Sequence, residues 1–209
     1  MSAIFLFVDS IAMLDMLCSF ADVVAFSQAS QPYVRPNIVS NGTLSIRGGS
    51  HPMFSAIHSK GKFGLDGVAF ISNDCYISPE SSFVVITGPN GSGKSTYIKQ
   101  TALIVILAQI GCFVPAVQAT IPIRDRILSR IGTSDDMENN ISTFSMEMKE
   151  TAYIIEHANE NSLVVIDELG RGTSNLDGIS LAFSISEELI HLKAACLFVT
   201  HYPQVISMS

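Results

Sequence analysis

Residues 88–96 read GPNGSGKST, and they constrain the fold more than any other stretch of the chain. A short apolar, β-prone run at 83–87 leads into them, and a helical pattern over 94–110 leads out. Glycine at 88, 91 and 93 lets the backbone turn so that successive N–H groups face inward, an arrangement that holds phosphate. Gly88 to Ser95 fits the spacing GxxxxGK[ST] in the strand-to-helix setting that gives the spacing its meaning. On this reading Gly88, Pro89, Asn90, Gly91, Ser92, Gly93, Lys94, Ser95 and Thr96 line the phosphates of a nucleotide, and the dipole of the following helix adds to the attraction. Lys94 reaches the β- and γ-phosphates and Ser95 ligates Mg²⁺, so ATP and Mg²⁺ are the implied cofactors.

A loop of this kind needs a sheet behind it. Two further short apolar runs, 163–166 and 197–200, suit strands covered on both faces, and helical patterns over 144–158 and 178–192 lie between and around them. Leu181, Ile185, Leu189 and Leu192 share one face of the last helix, and Gly111 is placed to end the first. Residues 43–78 read differently, as short strands and turns at 43–46, 68–71 and 75–77. The expectation is an α/β fold with a mostly parallel sheet, an antiparallel β portion near the start and an N-terminal helical segment.

Three other stretches carry candidate chemistry. The run LVVIDE delivers Asp167 and Glu168 at the end of a strand, Asp167 as a Mg²⁺ ligand and Glu168 as the group that polarises an attacking water. Adjacent strand residues point to opposite faces, so the strand must end at Asp167 for both carboxylates to reach one site. The run STF at 142–144 precedes a helix, and Ser142 suits an ordinary N-cap and an anion site equally well. His201 follows the strand LFVTH, at the sheet end where ligands sit, so it reads either as a satisfied histidine or as a γ-phosphate sensor. The loop GRGTSNLDG at 170–178 follows the two carboxylates, with Asp177 placed to cap the next helix.

Composition bounds the rest. With 47% hydrophobic residues among 209, the chain can bury a sizeable core. A formal net charge of −7 argues against a grip on nucleic acid by this chain alone, because such a grip displaces counterions with Lys and Arg. Cys18, Cys75, Cys112 and Cys196 lie far apart with no CxxC, which suits reduced, buried thiols in an intracellular protein. Residues 1–28 form an interrupted apolar run with no positive charge before Arg35, unlike a signal peptide. A membrane span there would bury Asp9, Asp15 and Asp22, so a mostly buried soluble helix with a polar stripe is expected, ending at the prolines of ASQPYVRPN, 29–37.

Together these pieces resemble the ATPase domain of the MutS family. The resemblance rests on the 88–96 loop, FVPA at 113–116, STFSMEMKETA at 142–152, DELGRGTS at 167–174 and THY at 200–202. It covers about residues 40–209, in the family's order and spacing, and implies a P-loop NTPase related to ABC ATPases. It divides the chain into 1–36, similar to the tail of a helical lever, and 37–209, similar to the ATPase domain. By the resemblance, Phe70 stacks on adenine, and Ser142 reaches in trans the γ-phosphate held by a partner subunit. Asp167, Glu168 and His201 match the Mg²⁺-binding, water-activating and γ-phosphate-sensing positions, and Lys94, Glu168, His201 and Ser142 form the catalytic set.

Within the family, residues 133–173 look most like the meiotic branch of the fourth eukaryotic homologue. That branch implies a nuclear, chromosomal role in crossover formation, paired with the fifth homologue and with no membrane partner. Two departures stand out. Gly91 occupies a position where the family commonly has methionine, which makes the loop read like an ABC transporter's, although STFSMEM stands where the transporter signature LSGGQ would be. The chain also stops eight residues after His201, where the family continues into a dimerisation region, and it lacks the DNA-encircling clamp, so it resembles a fragment or short form. The rival expectations are a nucleotide-binding module with little turnover and an ABC-type ATPase of a transporter or chromosome scaffold.

Overall fold

Four parallel strands form where the sequence concentrates its apolar β-prone runs. The structure, a computed structural model, describes residues 2–27, 33–53, 71–132, 140–170 and 172–208. In chain order its elements are α1 (Ser2–Ser27), β1 (Tyr33–Val34), β2 (Asn37–Val39), β3 (Leu44–Gly49), β4 (Asn73–Ile77) and β5 (Phe83–Ile86). There follow α2 (Lys94–Gln109), β6 (Val114–Pro115), β7 (Gln118–Pro122), β8 (Arg126–Arg130), α3 (Asn140–His157), β9 (Ser162–Asp167), α4 (Asn175–His191), β10 (Ala195–Val199) and a 3₁₀ turn, Pro203–Met208.

The parallel sheet has the order β5-β10-β9-β8, so β10, the last strand of the chain, lies between the strand that enters the glycine-rich loop and the strand that ends in Asp167. All six residues of β9 are buried, and its four consecutive apolar residues, Leu163 to Ile166, alternate between two cores. Leu163 and Val165 join Leu197 and Val199 against Ile98, Ala102 and Val105 of α2. Val164 and Ile166 join Cys196 and Phe198 against Ile154 of α3 and Ala182, Ile185 and Leu189 of α4. This is why neither β9 nor β10 shows an apolar–polar alternation: both faces are covered. Each fully buried Leu, Ile or Phe in these layers contributes about 1.5–3 kcal/mol.

A second sheet, β2-β7-β3-β4, is antiparallel except for the β2–β7 pair, and its Leu44, Ile46 and Ile121 share the core on the α2 side. The expected strand at 43–46 overlaps β3 from Leu44 on and that at 75–77 falls within β4; most of the one expected at 68–71 lies outside the described residues. Strands β7 and β8 add to the sequence reading. Helix α2 stops as expected at Gly111, which takes φ +88 and completes a Schellman ending: its N–H donates to Ala108 O (3.1 Å) and that of Cys112 to Leu107 O (2.9 Å).

Three expectations change: the cap of α4, the burial of α1 and, with it, the burial of Cys18. Helix α4 is capped by Ser174, not Asp177; the Ser174 hydroxyl accepts from Asp177 N–H and donates to the Asp177 carboxylate at 2.7 Å, because the extended residue before the helix is the one whose oxygen can reach back. Helix α1 is exposed, not buried. Ile4, Phe5, Leu6 and Phe7 are each about two-thirds accessible, since nothing among the described residues packs on them. Its segment Ile4–Ala25 is long and apolar enough to cross a membrane by length and composition, although it carries Asp9, Asp15 and Asp22. Of the cysteines, Cys75, Cys112 and Cys196 are buried free thiols, while Cys18 is exposed on α1.

Candidate functional site

The carboxyl ends of β5, β10 and β9 gather the candidate residues. Thr200 N–H donates to Ile86 O at 3.1 Å and Glu168 N–H donates to Val199 O at 3.0 Å, so the three strand ends are stitched side by side. At about 4.8 Å per strand, the start of the glycine-rich loop and Asp167 are then on the order of 10 Å apart, with the residues after Val199 between them. Open parallel sheets bind ligands at this end.

The loop between β5 and α2 holds Gly91 at φ +75 and Gly93 at φ +95, left-handed values that favour glycine. Gly93 is the N-cap of α2 and offers no side chain to the first helical amides, so those of Lys94, Ser95 and Thr96 are open to an external acceptor. The first turn carries no acidic residue that would oppose an anion. Lys94 is buried, and its ammonium donates to Gly88 O and Pro89 O, each at 2.9 Å. The lysine therefore lies along the inside of the loop, where its charge adds to the helix dipole.

β9 ends at Asp167, and Glu168 turns away from the strand with φ +50, a conformation uncommon for a residue other than glycine. This turn breaks the strand's alternation and lets consecutive carboxylates serve one region. Asp167 is 6% exposed, and its Oδ1 is buried with no hydrogen-bond partner. A buried carboxylate oxygen without a donor is costly, and a divalent cation would relieve that cost. A hard cation, which takes oxygen ligands, fits that carboxylate oxygen. Glu168 Oε1 is bonded to His201 Nε2 at 2.5 Å, so β10 and β9 bring these two candidates into direct contact.

The turn after Glu168 is held from two sides. Gly170 N–H donates to the buried Glu147 carboxylate of α3 at 2.8 Å, and Tyr202 Oη donates to Gly170 O at 3.1 Å. Burial, with the Glu147 charge behind it, raises the Tyr202 phenol above its ordinary pKa and keeps it a donor. Arg130 at the end of β8 donates to Asp167 O at 2.9 Å and pairs with Glu147 at 3.3 Å. Sequence reading missed Arg130 and Glu147: β8 is an edge strand of five residues with arginine at both ends, and Glu147 looks like any helical glutamate until the fold brings it under Gly170.

Phe70 lies outside the described residues. Ser142 falls in the first turn of α3, which begins at Asn140, earlier than expected; its side chain lies outside the described residues. The start of α3 nevertheless approaches the carboxylate turn, since a Cβ on Gly172 would stand 3.6 Å from Phe144 Cβ.

Residues 84–209 match the family MutS domain V. The whole chain aligns with the DNA mismatch repair protein MSH4 of Arabidopsis thaliana at 43% identity, covering 25% of that protein. Alignment with the MutS protein homolog 4 of Homo sapiens gives 47% identity over 93% of the chain and 19% of that protein. The DNA mismatch repair protein MutS of Rhodopirellula baltica is similar to the same degree, at 46% identity over 96% of the chain and 21% of that protein. The chain thus spans about a fifth to a quarter of the length of the curated relatives it matches.

Proposed function

The chain belongs to the MutS family, and from that premise we propose that it is an ATP-binding and ATP-hydrolysing domain of P-loop NTPase fold that opens and closes a DNA clamp. The observation that carries the reading is the buried, partnerless Asp167 Oδ1 at the same sheet end as the open amides of Lys94, Ser95 and Thr96. One group asks for a cation and the other for an anion, and Mg²⁺–ATP is both.

Asp167 and Ser95 would hold Mg²⁺, which when bound offsets the charge of the phosphates. The 88–96 backbone and Lys94 bind and orient those phosphates. Glu168 accepts the proton of the attacking water, and His201, bonded to Glu168 in this structure, orients that carboxylate and senses the γ-phosphate. Phe70 stacks on the base, and Ser142 at the start of α3 completes the site of a second chain. The active unit is then a dimer of such domains, acting on DNA through other parts of a longer protein. In the branch suggested by residues 133–173, this is a nuclear protein of meiotic recombination paired with the fifth eukaryotic homologue.

Equilibrium binding of ATP with and without Mg²⁺, followed by turnover, tests the reading. Lys94→Ala is expected to weaken ATP binding. Glu168→Gln is expected to keep it and to slow hydrolysis by about 10²-fold or more. Unimpaired hydrolysis by Glu168→Gln would remove Glu168 from its role, and a wild-type chain that ignores ATP would end the proposal.

A further inference from the structure

The turn that carries Asp167 and Glu168 is fastened to α3 by a largely buried ionic link that holds the turn by its backbone. Glu147 is 4% exposed, yet its Oε1 takes both the Gly170 N–H at 2.8 Å and the Arg130 guanidinium at 3.3 Å. Arg130 in turn donates through Nη1 to the carbonyl of Asp167 at 2.9 Å, so one arginine spans the metal-ligand candidate's backbone and the carboxylate of α3. Behind Glu147, its own carbonyl accepts from Thr151 Oγ1 at 2.8 Å within the helix. On the other side Gly170, at φ +82, lies close against α4: a Cβ there would meet Gly178 Cα at 2.9 Å. A buried carboxylate is costly unless it is paired and hydrogen-bonded, so this link forms only when turn and helix are in register.

We propose that Glu147 and Arg130 are positioning residues that make the 167–170 turn and α3 one rigid body. They fix the carboxylates of one nucleotide site relative to the helix end that carries Ser142. The proposal rests on the reading of Asp167 as a Mg²⁺ ligand. Its consequence is mechanical: a displacement of the turn is passed through Glu147 to α3.

The test uses the 209-residue chain with Glu147→Gln and Arg130→Lys, and reads the gain in ATPγS affinity on adding Mg²⁺ alongside hydrogen exchange at the Gly170 amide. Both variants are expected to bind ATPγS normally without Mg²⁺, to lose about 10-fold or more of the Mg²⁺-dependent gain, and to exchange faster at Gly170. If Arg130→Lys does not fold, Glu147→Gln, of equal size and still an acceptor for Gly170, carries the test. Variants that melt earlier but keep the full Mg²⁺ gain would make the link merely structural and overturn the proposal. A wild-type chain with no Mg²⁺–nucleotide affinity would instead overturn the parent reading, and the positioning role with it.

Discussion

Gly91 and Gly170 both take left-handed backbone angles, φ +75 and φ +82, but they stand in opposite surroundings. A Cβ on Gly91 would meet nothing within 4 Å, whereas one on Gly170 would press on the backbone of Gly178 at 2.9 Å. Gly91→Met is therefore expected to cost about 1 kcal/mol, from strain alone. Gly170→Ala adds a collision that no side-chain rotation relieves and is expected to cost about 2 kcal/mol or more. Thermal melts of the two variants check the order; equal losses would contradict it. The same contrast bears on the resemblance of the loop to an ABC transporter's. Glycine at 91 is permitted by open space and suited to its angle, so the glycine that departs from the family's usual methionine is no obstacle to the loop's conformation.

Among the elements, those that bury both faces were the most legible. The runs at 83–87, 163–166 and 197–200 became three adjacent strands, and the need for a strand end at Asp167 is met by the turn at Glu168. β8 was missed because an edge strand with three interior residues between two arginines carries too little apolar signal. The exposure of α1 was missed for a different reason: apolar sequence states a demand for burial, and only the fold shows whether a surface meets it. β8 is anchored at its start by Asp125, whose carboxylate accepts from Asn159 Nδ2 at 2.7 Å and from Ser162 Oγ at 3.1 Å. The Asn159 bond, ahead of the Ser162 bond and the Arg126 charge, holds the Asp125 carboxyl below its ordinary pKa. A depressed folded-state pKa contributes stability that is present above the unfolded value, about 3.9, and is lost as pH falls through the folded value. Asp125→Asn is therefore expected to melt below wild type at pH 7, with the gap closing below about pH 4. A gap that stays constant with pH would contradict the assignment.

At the scale of the whole molecule, α1 stands apart from the two cores, and its apolar residues lie in solvent among the described residues. Deleting residues 1–27 is expected to raise solubility and to move the melting temperature by no more than about 2 °C, the size of a surface change. A collapse of the fold would show that α1 covers it after all. The two cores instead support a sheet end that gathers the proposed cation ligand Asp167, the proposed base Glu168 and the 88–96 loop, with Ser142 on a separate helix end. If that serine serves another chain, one site draws on two molecules and its rate follows their association. The measurement that tests this most directly is the specific ATPase activity of the chain across a wide dilution series, alone and with the fifth eukaryotic homologue added. Activity per chain is expected to rise with concentration and with the added homologue; activity per chain that stays constant under dilution would contradict a site shared between two chains.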